Sequence, residues 1–94
     1  MPYAVELSDS AADKLSSIAD VDLVSCISNR LEDLAADPLK VGRRAGFPYR
    51  PAGQIFEFWC DSGERRYFVT LFFHFEPGER VVKISAVTYR EVIP

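Results

Sequence analysis

The sequence predicts an α+β domain of order β-α-α-β-β-β, with two N-terminal helices packed on one face of an antiparallel-rich sheet of about four strands. Three observations carry that expectation. Apolar residues recur at helical spacing between Ala11 and Ala35 and stop at Pro38. From Gln54 onward, β-branched and aromatic residues alternate with polar ones. Two turn clusters, Asp61-Ser62-Gly63-Glu64 and Glu76-Pro77-Gly78-Glu79, cut that second half into three strands. With 94 residues, 48% of them hydrophobic, the chain is long enough for one core and too short for two, so a single domain over residues 1–94 is expected.

The opening Tyr3, Val5 and Leu7 alternate with Ala4 and Glu6, the period of a half-buried strand. Ser8 or Ser10 offers a hydroxyl to cap a short helix, whose start is favoured by Asp9 and Asp13 and whose apolar positions are Ala11, Leu15 and Ile18. Asp20 is placed to cap a second helix with the stripe Val24, Ile27, Leu31, Leu34 and Ala35. Pro38 forces Asp37 out of helical geometry and ends it. Lys40 to Gly53 carries three glycines, two prolines and three arginines, and reads as a long connecting loop without regular structure. Gln54 to Cys60, Arg66 to Phe75 and Arg80 to Tyr89 are the three later strands. On the middle one, Tyr67, Val69, Leu71, Phe73 and Phe75 make a uniformly apolar face, and Arg66, Phe68, Thr70, Phe72 and His74 make a mixed one.

Charge and cysteine usage bound the function classes. Up to Leu39 there are eight acids and two bases, −6; from Lys40 onward there are nine bases and six acids, +3; together they give the net charge of −3. An anionic partner is therefore steered toward the C-terminal half, although this excess is small for a nucleic-acid binder. The two cysteines, Cys26 and Cys60, lie in apolar segments without clustered spacing and read as neither a disulfide framework nor a metal site, which points to a reducing compartment. The longest apolar run is far shorter than a membrane span, and the opening residues lack the basic and apolar regions of a signal peptide, so a cytoplasmic protein is expected.

The element order, Val5-Glu6-Leu7-Ser8 at the start, Leu34-Ala35-Ala36-Asp37-Pro38 at the end of the second helix, the Gly-Arg-rich loop after it and the final strand up to Arg90 together resemble the RelE/ParE superfamily of type II toxins. The resemblance covers nearly the whole chain. It implies a toxin neutralised by a cognate antitoxin, acting either as a RelE-like, metal-free mRNA endonuclease in the ribosomal A site or as a ParE-like inhibitor of DNA gyrase. Arg66 and Arg90 match arginines of RelE-like toxins. The family's pair of lysines would fall on Phe56 and Phe58, or on Ile55 and Glu57 if the hairpin is one residue longer, and neither register supplies a lysine. The tyrosine that follows the last strand in the family has no counterpart, although Tyr89 lies beside Arg90.

Metal-free RNA cleavage needs a base for the 2′-hydroxyl, an acid for the leaving oxygen and cations for the phosphate. Arg66, Arg90, Tyr89 and His74 are of the right types and form the candidate catalytic set, with no cofactor or metal. His74 and Arg66 share a face but sit eight residues apart, about 26 Å at strand rise. That separation favours a solvated strand end for His74. Lys40, Arg43, Arg44 and Arg50 are candidate RNA-binding residues, weighed against an ordinary solvated loop. Phe56, Phe58, Trp59, Phe68 and Phe72 are candidates to stack on bases, although at least half of them must be core. Glu57, the one acid in a strongly apolar strand, invites a general-base reading. The alternative class is a non-catalytic homologue that binds only protein, gyrase or antitoxin.

Overall fold

The computed structural model describes residues 3–41, 43–44, 53–76 and 78–93. Strand β1 (Ala4–Leu7) leads into α1 (Asp9–Ser16) and α2 (Val21–Ala36). A short helix α3 (Pro38–Val41) and a two-residue strand β2 (Arg43–Arg44) follow, then β3 (Gln54–Ser62), β4 (Arg65–Glu76) and β5 (Val81–Glu91). The order in the sheet is β1-β5-β4-β3-β2, antiparallel throughout except that β1 runs parallel to β5.

The helix starts follow local chemistry. The Ser8 hydroxyl accepts from the Ala11 amide at 3.0 Å, and Asp20 Oδ1 accepts from the amides of Asp22 and Leu23 at 3.0 and 3.2 Å. Each cap satisfies donors that the first helical turn leaves unpaired. Asp37 leaves helical geometry ahead of Pro38, as expected, but the proline then opens α3, where its missing N–H is no loss. The expected structureless stretch, Lys40 to Gly53, thus contains the end of α3 and the whole of β2, whose Arg43 and Arg44 pair with Ile55 and Gln54. Gly42 and residues 45–52 lie outside the described residues.

One face of the sheet is closed by α1 and α2. The core joins Ala11, Leu23, Ile27 and Leu34 to Phe58, Cys60, Tyr67, Val69, Leu71, Phe73, Val82, Ile84 and Val87. Leu23, rather than the expected Val24, opens the buried stripe of α2, because one turn before Ile27 it points at the sheet, and it is 1% exposed. The β3–β4 hairpin closes through Gly63 and Glu64, and Gly63 has φ +60°, a value that glycine adopts without steric penalty.

Cys26 on α2 and Cys60 on β3 form a disulfide with their Cα atoms 5.9 Å apart. This corrects the expectation of two unlinked thiols. Thirty-four positions separate them in sequence, and only the packing of α2 across β3 brings them within bonding range. Among the described residues, no group of three or more His, Cys, Asp or Glu could hold a metal ion, and no helix is long and apolar enough to cross a membrane.

Candidate functional site

The face of the sheet opposite the helices carries the chain's candidate chemistry. Cross-strand pairing lays it out in rows over β3, β4 and β5: Glu57, Thr70 and Thr88 in one, Trp59, Phe68 and Arg90 in the next, then Asp61 beside Arg66. Arg90 stands opposite Phe68 and Arg66 two residues before Phe68, so the two arginines are diagonal neighbours, a spacing of about 7–8 Å that long side chains bridge. Each guanidinium lies over an aromatic ring, Arg66 at 4.9 Å from the Trp59 centroid and Arg90 at 5.9 Å from that of Phe68. The rings of Trp59, 47% exposed, and Phe68 meet at a tilt of 59°, with centroids 4.8 Å apart. The result is two cations on an aromatic floor that is open to solvent.

A one-residue bulge decides which residues of β5 reach this face. Phe73 pairs with Ile84 while Phe72 pairs with Ala86, so Ser85 is extra. Lys83 lies on the open face before it, and Thr88 and Arg90 lie there after it. Without the bulge, alternation would exchange Arg90 for Tyr89. The bulge is held by hydrogen bonds: the Ser85 hydroxyl donates to the Phe72 carbonyl at 3.1 Å, and the Ser8 hydroxyl donates to the Ser85 carbonyl at 2.9 Å.

Tyr89 accordingly turns to the helix side. Its ring packs edge-on to Tyr67 at 6.2 Å and lies under the Lys14 ammonium at 5.1 Å, on the other side of the sheet from Arg66 and Arg90. His74 is on the open face but at its far end, paired with Lys83, which in turn pairs with Glu6. Lys40 is exposed on α3; Arg43 and Arg44 lie on the edge strand β2, and Arg50 lies outside the described residues. The structure therefore brings together Arg66 and Arg90 from the sequence-derived set and sets His74 apart from them, while Tyr89 turns its ring to the helices and still borders the cavity beside Arg90. Glu57 joins Arg90 instead: it lines a cavity of about 290 Å³ with Phe68, Thr70, Thr88, Tyr89 and Arg90.

Arg66 is also held by Asp61 at 3.3 Å, with the two side chains 59% and 73% exposed, a pair that solvent screens heavily. At the hairpin end a second polar cluster ties sheet to helices. Asp20 accepts from the Ser62 hydroxyl at 2.8 Å and the Tyr67 hydroxyl at 3.3 Å. The Ser62 bond, then the Leu23 amide, with smaller help from Tyr67 and Asp22, hold its carboxyl below the usual value. Arg65 is raised, first by its hydrogen bond to Tyr67 and then by the charges of Tyr67 and Glu91. Sequence patterning offered no sign of this cluster, since its members come from distant segments.

A comparison with solved structures finds a chain of the toxin-antitoxin complex RelBE2 from Mycobacterium tuberculosis, at 23% identity and a TM-score of 0.67, covering 96% of this chain and 100% of that one. The chain shares the fold of that RelBE2 chain. No family model and no curated protein matches the sequence. Phe56 and Phe58 face the helices, where their rings meet at 5.0 Å, whereas Glu57 is on the open face.

Proposed function

We propose that this chain is the toxin of a type II toxin–antitoxin pair and that its open sheet face binds single-stranded mRNA and cleaves it in the ribosomal A site without a metal. The observation that carries the reading is the diagonal pair Arg66 and Arg90, each stacked on an aromatic ring of a solvent-facing sheet. Aromatic rings on an open sheet stack with bases, and paired guanidinium forks suit a phosphate between them. Charge developing on that phosphate during attack by the adjacent 2′-hydroxyl is what two fixed cations stabilise best. In this reading Glu57, in the same cavity as Arg90, takes the proton from the hydroxyl, and Thr70 and Thr88 supply neutral donors beside it. The toxin-antitoxin complex named for the solved relative supports a cognate antitoxin as partner.

A second reading, protein binding alone to gyrase or antitoxin, is favoured by the hold of Asp61 on Arg66 and by the net charge of −3, both of which oppose RNA. Induced expression of the chain in a bacterial host separates the two. On the first reading growth stops and incorporation of labelled amino acids falls before DNA supercoiling changes. Lost supercoiling with intact protein synthesis would replace it with gyrase inhibition. Unimpeded growth with soluble protein in the cells would overturn the toxin reading.

A further inference from the structure

Strand β3 has two working sides joined by three consecutive residues. Cys60 points to the helices and is bonded to Cys26, while its neighbours Trp59 and Asp61 point the other way and hold the Arg66 guanidinium, at 4.9 Å from the ring and 3.3 Å from the carboxylate. One residue further on, Ser62 donates to Asp20, the cap of α2. Helix α2 is thus fastened to β3 at two places, with one partner of Arg66, Asp61, between them and the other, Trp59, just before the first. Access to the two sulfurs differs: Cys60 is 1% exposed, whereas Cys26 is half-buried at the rim of the core.

We propose that the Cys26–Cys60 bond is a reversible redox brace, which locks α2 and β3 when oxidised and loosens the Arg66 end of the open face when a cellular dithiol reduces it. The chemistry is thiol–disulfide exchange. A thiolate of the dithiol attacks Sγ of Cys26, the less buried of the two residues, and Cys60 leaves as a thiolate that takes up a proton. The reductant's second thiol then attacks its own sulfur in the mixed disulfide and releases Cys26. Two electrons and two protons pass to the protein, and the reductant becomes a disulfide. Oxidation by a small-molecule disulfide such as oxidised glutathione reverses the sequence.

Reduction leaves the packing intact, because a thiol in an apolar site behaves as a small hydrophobe. What changes is the covalent hold of α2 on the strand segment that carries Trp59 and Asp61, and with it the constraint on the unfolded chain. A closed loop of sequence separation 34 shifts the unfolding equilibrium by two to three orders of magnitude, about the range expected for a loop of this size. For a domain this small, that is a loss in Tm on the order of 15 °C.

The test uses the full chain and needs no activity. One sample is oxidised with glutathione disulfide and another reduced with dithiothreitol. Thiols are counted in denaturant, melting is followed by circular dichroism, and amide hydrogen exchange is measured across residues 57–66 and 20–27. The expected results are no free thiols in the oxidised sample and two in the reduced one, a lower Tm after reduction, and exchange at least tenfold faster in both segments. Cys26→Ser, at the more exposed position, should melt with the reduced wild type and ignore dithiothreitol. Thiols that stay free under the oxidant, or equal melting in the two states, overturn the brace. A lower Tm with unchanged exchange at residues 57–66 overturns its link to the open face.

Discussion

Replacing Arg90 by alanine removes one of the two cations without disturbing the sheet. Arg90 is exposed, and its guanidinium lies over the Phe68 ring at 5.9 Å, an exposed cation–π pair worth about 0.5–1 kcal/mol. The Tm should therefore fall by only a few degrees, taking about 4–8 °C per kcal/mol for a domain of this size. The effect on chemistry is larger. With Arg66 and Arg90 as diagonal neighbours, a phosphate between them sits about 4 Å from each guanidinium, where one unit of added charge interacts with about 1 kcal/mol in bulk water and about 4 kcal/mol at an effective dielectric near 20. A ribosome covering the face moves the site toward the second figure. At about 1.4 kcal/mol per tenfold, the loss lies between about fivefold and 10³-fold, with about 10² as the central expectation. Arg90→Lys should fall between, since it keeps charge and loses the fork. The assay is single-turnover cleavage of mRNA in purified, programmed ribosomes, read by primer extension, with circular dichroism as the folding control. Cleavage by Arg90→Ala at the wild-type rate would refute the reasoning, as would the absence of cleavage by the wild-type protein.

Two further measurements probe the rest of the molecule. Changing Arg43 and Arg44 to alanine should lower affinity for single-stranded RNA and flatten its dependence on salt by about 0.7 for each phosphate that is no longer neutralised, and an unchanged slope would assign both residues to a solvated edge. Asp20, held below the ordinary carboxylate value by Ser62 and the α2 amides, lends stability that is present above its unfolded value of 3.8 and is lost as pH falls through its lower folded value. Asp20→Asn, which keeps a capping side chain, should therefore flatten the acid limb of Tm against pH. A limb as steep as that of the wild type would place the acid sensitivity elsewhere.

Much of the fold was legible because it is written in local chemistry. Ser8 and Asp20 announce helix starts through their own side chains, Gly63 marks a turn that needs positive φ, and the period of two along β4 names its buried face. The candidate site was legible only in part. Arg66 could be placed from β4 alone, and the eight-residue gap to His74 showed that those two do not meet. Tyr89 and Arg90 were not assignable to faces, since adjacent residues oppose each other and one extra residue upstream exchanges them. Glu57 stood out only as an acid among apolar neighbours, and what it shares a cavity with depends on β5.

The sequence by itself determined the order of the two long helices and the four longer strands, their caps and turns, and which side of β4 is core, because each follows from residues within a few positions of one another. Tertiary structure alone decided the rest. It set the parallel pairing of β1 with β5, the pairing of β2 with β3 and the bulge at Ser85 that puts Arg90 beside Arg66 and sends Tyr89 to the helices. It also joined Cys26 to Cys60. These features depend on register and on the approach of segments tens of residues apart, and register is fixed only when whole faces are buried together.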